Sequence, residues 1–166
     1  MRKFSHRDLN PHQVDAALFN SNPDLGEENK EYAVSSIPLL AGTYTFFNTS
    51  REPFDNVQLR QALLLGTNTQ KLIDQLGYPV QSVKSPLLSS DVGYDPSLVQ
   101  QSYDKDKANQ LLDTLGWVRP ADNSTRKKGE KQLELSLTTL DGSDFASIAS
   151  NLQQMWASDL GIKVNI

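Results

Sequence analysis

Gln132-Leu133-Glu134-Leu135-Ser136-Leu137-Thr138-Thr139 sets Leu133, Leu135 and Leu137 against Glu134, Ser136 and Thr138. A period of two marks a half-buried strand. From about Ser143 to Leu160 the period lengthens. Phe145, Ile148, Ala149, Leu152, Met155 and Trp156 share one helical face, and Gly161 ends the run. Ile162 to Ile166 then reads as a final strand. Strand, helix and strand in direct succession predict an α/β domain.

The same signals extend toward the N-terminus. Asp104 is placed to cap a helix with Ala108, Leu111, Leu112 and Leu115 on one stripe, and Gly116 closes it. Residues 119–131 form a polar, basic turn. Its run Arg126-Lys127-Lys128-Gly129-Glu130-Lys131 reads as a solvated turn, because the chain as a whole is acidic. Residues 78–103, with Pro79, Pro86, Gly93 and Pro96, read as a long ordered connection. Asp55 is the expected N-cap of a helix carrying Val57, Leu59, Ala62 and Leu63 and ending at Gly66. A second helix opens at Thr69 and ends at Gly77. Gly42 to Asn48 is rich in β-branched and aromatic residues and predicts a strand. On it Tyr44 and Phe46 share a face and Phe47 points the other way. Core packing is the default for all three, as for Trp117 and Trp156. Val14–Phe19 and Tyr32–Pro38 read as shorter strands, the first within a polar, loosely ordered stretch over 1–30. The order is strands, helices, a strand, a helix and a strand. It predicts one α/β domain over 1–166, a mixed sheet with packed helices.

Composition limits function. The 166 residues carry a net charge of −4, which gives no pull toward nucleic acid or anionic lipid. No apolar run approaches the roughly 18 residues that span a bilayer. Met1-Arg2-Lys3-Phe4 starts like a signal peptide, but no apolar stretch follows, and the final strand suggests a piece of a longer protein. Cysteine is absent, so disulfides and thiolate chemistry are excluded. There is no phosphate-binding glycine loop and no nucleophile elbow. His6 and His12 are the only histidines, both in the polar N-terminal stretch, where a loop role outweighs a metal or catalytic one. No catalytic residues, cofactor or metal are expected.

From residue 43 onward the order of motifs resembles the family-5 extracellular solute-binding proteins. The resemblance rests on Thr43-Tyr44-Thr45-Phe46-Phe47-Asn48-Thr49, on Pro53-Phe54-Asp55-Asn56-Val57-Gln58-Leu59-Arg60-Gln61-Ala62-Leu63 and on Lys71-Leu72-Ile73. It continues through Gly93-Tyr94, the run from Tyr103-Asp104 to Leu115-Gly116-Trp117, Leu152-Gln153 and Leu160-Gly161-Ile162-Lys163-Val164. These are scaffold signatures, which identify a family better than a ligand.

The resemblance implies most of the second lobe, or third domain, of a two-lobed clamp that hands peptides to an ABC importer. It implies a monomeric, extracytoplasmic protein with a peptide ligand and a permease partner. Nickel complexes, haem or sugars are the alternatives within the family. A hydrolase using Ser143 or Asp144 and a purely structural interaction domain are the alternatives outside it. The ligand-binding residues implied are the loop and first helical turn Thr139, Leu140, Asp141, Gly142, Ser143, Asp144 and Phe145, where free backbone N–H groups suit a carboxylate. The strand face of Tyr44 and Phe46 is the second candidate.

Overall fold

The computed structural model describes residues 33, 35, 42–78 and 80–166. The chain divides into two compact units, Met1–Ala41 with Gly77–Val80, and Gly42–Leu76 with Gln81–Ile166. The elements described below lie in the second. The strand expected over Val14–Phe19 and the two histidines lie outside the described residues, as does most of 32–38.

Helix α1 (Val57–Leu65) starts at Asn56, whose Oδ1 accepts from the N–H groups of Gln58 at 2.8 Å and Leu59 at 3.1 Å. The cap is therefore Asn56 and not the expected Asp55. Two adjacent cap-competent residues compete, and the turn before the helix decides between them. That turn is fixed by Arg60, whose Nη1 donates to the carbonyls of Phe54 at 2.6 Å and Asp55 at 3.1 Å. Phe54 stacks on Phe47 with ring centroids 5.3 Å apart. Asn56→Ala should lower stability by about 1 kcal/mol, the usual worth of an N-cap, and Asp55→Ala should change it little. Denaturant midpoints of the two variants check this; equal losses would reject the assignment.

Leu59, Ala62, Leu63 and Leu65 of α1 are buried, and Gly66 closes the helix. A Cβ on Gly66 would lie 2.5 Å from Leu160 Cδ1, so any side chain here would have to displace buried Leu160. Helix α2 (Thr69–Asp74) begins at Asn68 and ends three residues before Gly77. Helix α3 (Lys105–Thr114) is capped by Asp104, as expected, with Oδ1 accepting from Lys107 N–H at 2.9 Å. The N–H of Asp104 also donates to Leu65 O at 2.8 Å, which ties α3 to the end of α1. At the far end Gly116 is left-handed (φ 81). Its N–H bonds Asp113 O, and the Trp117 N–H bonds Leu112 O at 3.0 Å. This paired closure turns Trp117 back onto the helix, where it is buried.

The sheet is smaller than the sequence predicts. Residues 42–48 form no regular element and pair with no strand among the described residues. High β-propensity alone does not supply a ladder partner. Phe47 packs against the core, while Tyr44 and Phe46 are exposed, contrary to the core default; Thr43 and Thr45 are exposed as well, so no alternation of buried and exposed residues runs through the stretch. The strand expected over 132–139 contracts to β3 (Glu134–Ser136), parallel to β4 (Lys163–Asn165), with Leu135 opposite Val164. On the outer face Glu134 accepts from Asn165 Nδ2 and pairs with Lys163 at 3.1 Å. These hydrogen bonds, Asn165 first, hold its carboxyl below the usual range.

The basic turn is a hairpin of β1 (Lys127–Lys128) and β2 (Lys131–Gln132), turning at left-handed Gly129. The solvated reading holds for its exposed lysines and fails for Arg126, which is only 2% exposed. Its Nε donates to Leu160 O at 2.8 Å and its Nη2 to Asn109 Oδ1 at 2.6 Å. Nη1 serves Trp117 O and Asp113 Oδ1.

The predicted fourth helix is α4 (Ser143–Met155) followed by one π-helical turn, Trp156–Leu160. Left-handed Gly161 (φ 66) ends it and leads into β4. One apolar cluster joins Leu59, Leu63, Leu112, Trp117, Leu133, Leu135, Leu152, Trp156, Leu160, Ile162 and Val164. The result is a mixed α/β unit with its helices packed about small sheets.

Candidate functional site

The parallel pair places the predicted site. Leu137 N–H still bonds Asn165 O at 2.8 Å, so the two strands run side by side to their carboxyl ends. The chain then leaves β3 through Thr139–Gly142 and enters α4. In open α/β sheets, the carboxyl ends of parallel strands are where ligands bind.

The local geometry of this loop is open. Gly142 is extended (φ −152, ψ 147) and makes no side-chain cap bond at the start of α4. Its N–H turns back to Leu140 O and its carbonyl accepts from Ala146 N–H, each at 2.9 Å. The next N–H groups, of Ser143, Asp144 and Phe145, precede the first intrahelical bond and point along the helix axis. Leu140 (70% exposed) and Phe145 (43%) are large apolar residues left in solvent. Thr139 and Gly142 are half-buried, and Asp141 and Asp144 are exposed. Seven predicted residues thus form one loop and helical turn, with apolar side chains, carboxylates and backbone donors together.

Tyr44 and Phe46 form the second group. Their ring centroids lie 6.4 Å apart, tilted by 44°. Phe46 is 89% exposed, so this pair presents aromatic faces outward. No group of three or more His, Cys, Asp or Glu residues able to hold a metal ion occurs among the described residues. No helix there is long and apolar enough to cross a membrane.

One concavity escaped the sequence reading. It measures about 440 Å³ and runs between Asn123–Thr125, the Gln153–Gln154 face of α4 and residues Gly161–Val164. Its walls bring residues 123–125 against residues drawn from 153–164, two stretches well apart in the chain, so no local pattern announces it.

The family model "Bacterial extracellular solute-binding proteins, family 5 Middle" matches residues 7–166. The chain belongs to the family-5 bacterial extracellular solute-binding proteins. Among relatives, the nickel-binding periplasmic protein of Escherichia coli (strain K12) is 28% identical over 120 residues, 72% of this chain and 23% of that protein. Heme-binding protein A of Haemophilus influenzae is 29% identical, across 73% of this chain and 24% of its own length. Di/tripeptide-binding protein 1 of Pseudomonas aeruginosa is 25% identical, across 95% of this chain and 27% of its own length. This chain therefore spans about a quarter of the length of these relatives.

Among solved structures, NikZ from Campylobacter jejuni in complex with Ni(L-His) matches with a TM-score of 0.63 at 22% identity, over 72% of this chain and 24% of that one. Lactococcal OppA, complexed with an endogenous peptide in the closed conformation, matches at 0.52 and 27% identity, over 69% and 22%.

Proposed function

We propose that this chain is a ligand-binding lobe of a peptide receptor, which captures peptides outside the membrane and delivers them to an ABC importer permease. The observation that carries the reading is the open loop Thr139–Phe145 at the carboxyl ends of the parallel strands. A peptide presents a carboxylate, an ammonium group and side chains. The first-turn N–H groups suit the carboxylate, Asp141 and Asp144 suit the ammonium, and exposed Leu140 and Phe145 suit apolar side chains. Tyr44 and Phe46 add a second apolar contact surface. The Pseudomonas relative is a di/tripeptide-binding protein, and lactococcal OppA is complexed with an endogenous peptide, which supports the same reading. The role is capture, with no catalytic residues, as a monomer without a cofactor.

The nickel- and heme-binding relatives are of comparable identity, so a metal chelate or haem is the second reading. Titration of isotopically labelled chain, followed by amide NMR, separates the two. A mixture of short peptides should move the signals of Thr139–Phe145, Tyr44 and Phe46 with weak affinity, since one lobe supplies only part of the contacts. Haem or Ni(L-His) should leave them in place. Shifts with haem or Ni(L-His) and none with peptides would overturn the peptide reading. Tight binding by these 166 residues alone would overturn the two-lobed division.

A further inference from the structure

The concavity of about 440 Å³ lies beside the outer edge of β4. The ladder to β3 uses the backbone of Lys163 and Asn165. Lys163 N–H bonds Leu133 O at 3.0 Å, and Asn165 O accepts from Leu137 N–H. Successive peptide groups alternate sides along a strand. The N–H and C=O of Val164 therefore face away from β3. Among the described residues no strand pairs with that edge. An edge of this kind is a template for another chain.

The Val164 carbonyl is nevertheless occupied. Gln153 Nε2, projecting from α4, donates to it at 2.7 Å in a partly buried contact. A side-chain amide thus stands where the N–H of an incoming strand would bond, and it has the same chemistry. The edge is also self-complementary. In an antiparallel pair of two β4 strands centred on Val164, each Val164 would exchange both outward groups with its counterpart. Lys163 would oppose Asn165, so no like charges meet, while the Ile162 N–H on the same side is already held by Trp156 O at 3.1 Å, which leaves Val164 as the open position of the edge. Ile166 is 54% exposed and would gain cover.

We propose that Gln153 is an edge guard: its amide closes the outer edge of β4 against pairing with β4 of a second copy of this chain. Asn123–Thr125 and Gln154 line the same concavity as Gln153 and Val164. The inference does not depend on the ligand.

Sedimentation of the whole chain tests it. Gln153→Met keeps the length of the side chain and removes the donor. It should sediment as a concentration-dependent dimer under conditions where the unaltered chain is a monomer. Gln153→Met with Val164→Pro, where it still folds, should return to monomer, because proline removes the outward N–H while the ladder bonds of Lys163 and Asn165 remain; it also replaces a buried core side chain, so its fold is checked first. Gln153→Glu, which also lacks a donor but brings a charge to the edge, should stay monomeric. Circular dichroism identifies any variant that does not fold, and amide exchange at Val164 in Gln153→Met reports the same pairing as protection. A folded Gln153→Met that remains monomeric at every concentration overturns the proposal. So does a dimer that survives Val164→Pro, or an unaltered chain that is already dimeric.

Discussion

Arg126→Met should destabilise the chain by about 2–6 kcal/mol, roughly 1–3 for each of two buried carbonyls left without a donor. Arg126 is 2% exposed, and its guanidinium serves Leu160 O, Trp117 O, Asn109 Oδ1 and Asp113 Oδ1. Methionine fills similar space but leaves two buried carbonyls without this donor. Asp113 is 58% exposed, so water can take over its solvation and the ion pair itself adds little. Asp113→Asn should therefore cost much less than Arg126→Met. Urea unfolding of the two variants decides the point. Equal losses would mean that the charge pair, and not the carbonyl bonds, carries the effect.

Trp156→Ala should cost a similar amount, about 3–5 kcal/mol, by opening a cavity in the apolar cluster. Trp156 is 4% exposed and packs with Leu59, Leu63, Leu152 and Leu160 among others. Its Nε1 also donates to Thr67 Oγ1 at 2.9 Å, at the link between α1 and α2. Trp156→Phe keeps most of the volume and loses that bond, so it should cost a smaller amount, near 1 kcal/mol from the bond plus a packing defect. Thermal unfolding of Ala and Phe variants separates volume from hydrogen bond. A Phe variant as unstable as Ala would show that the indole bond dominates.

Local signals were legible in the sequence, and distant ones were not. Asp104, Gly116 and Gly161 act within one or two turns of themselves, and all three stand where the chain required them. Asn56 was missed by a single residue because Asp55 beside it has the same capping chemistry. Arg126 was misread because its partners lie up to 34 residues away in the chain, and an arginine in a lysine-rich turn carries no mark of burial. Gly42–Asn48 has strand composition, but a strand also needs a neighbour, which composition does not specify. For the candidate site, the position of Thr139–Phe145 came from the family resemblance. The strand, the helix start and Gly142 were readable locally; the exposure of Leu140, Phe145, Tyr44 and Phe46 was not.

The π-helical turn Trp156–Leu160 ends in carbonyls gripped from outside: Arg119 holds those of Ser158 and Asp159, Asn109 shares Asp159, and Arg126 holds Leu160. Mechanically, this makes the joint between α4 and β4 a bolted one. A load on the start of α4 is therefore shared with α3, through Asn109, and with the hairpin, through Arg126.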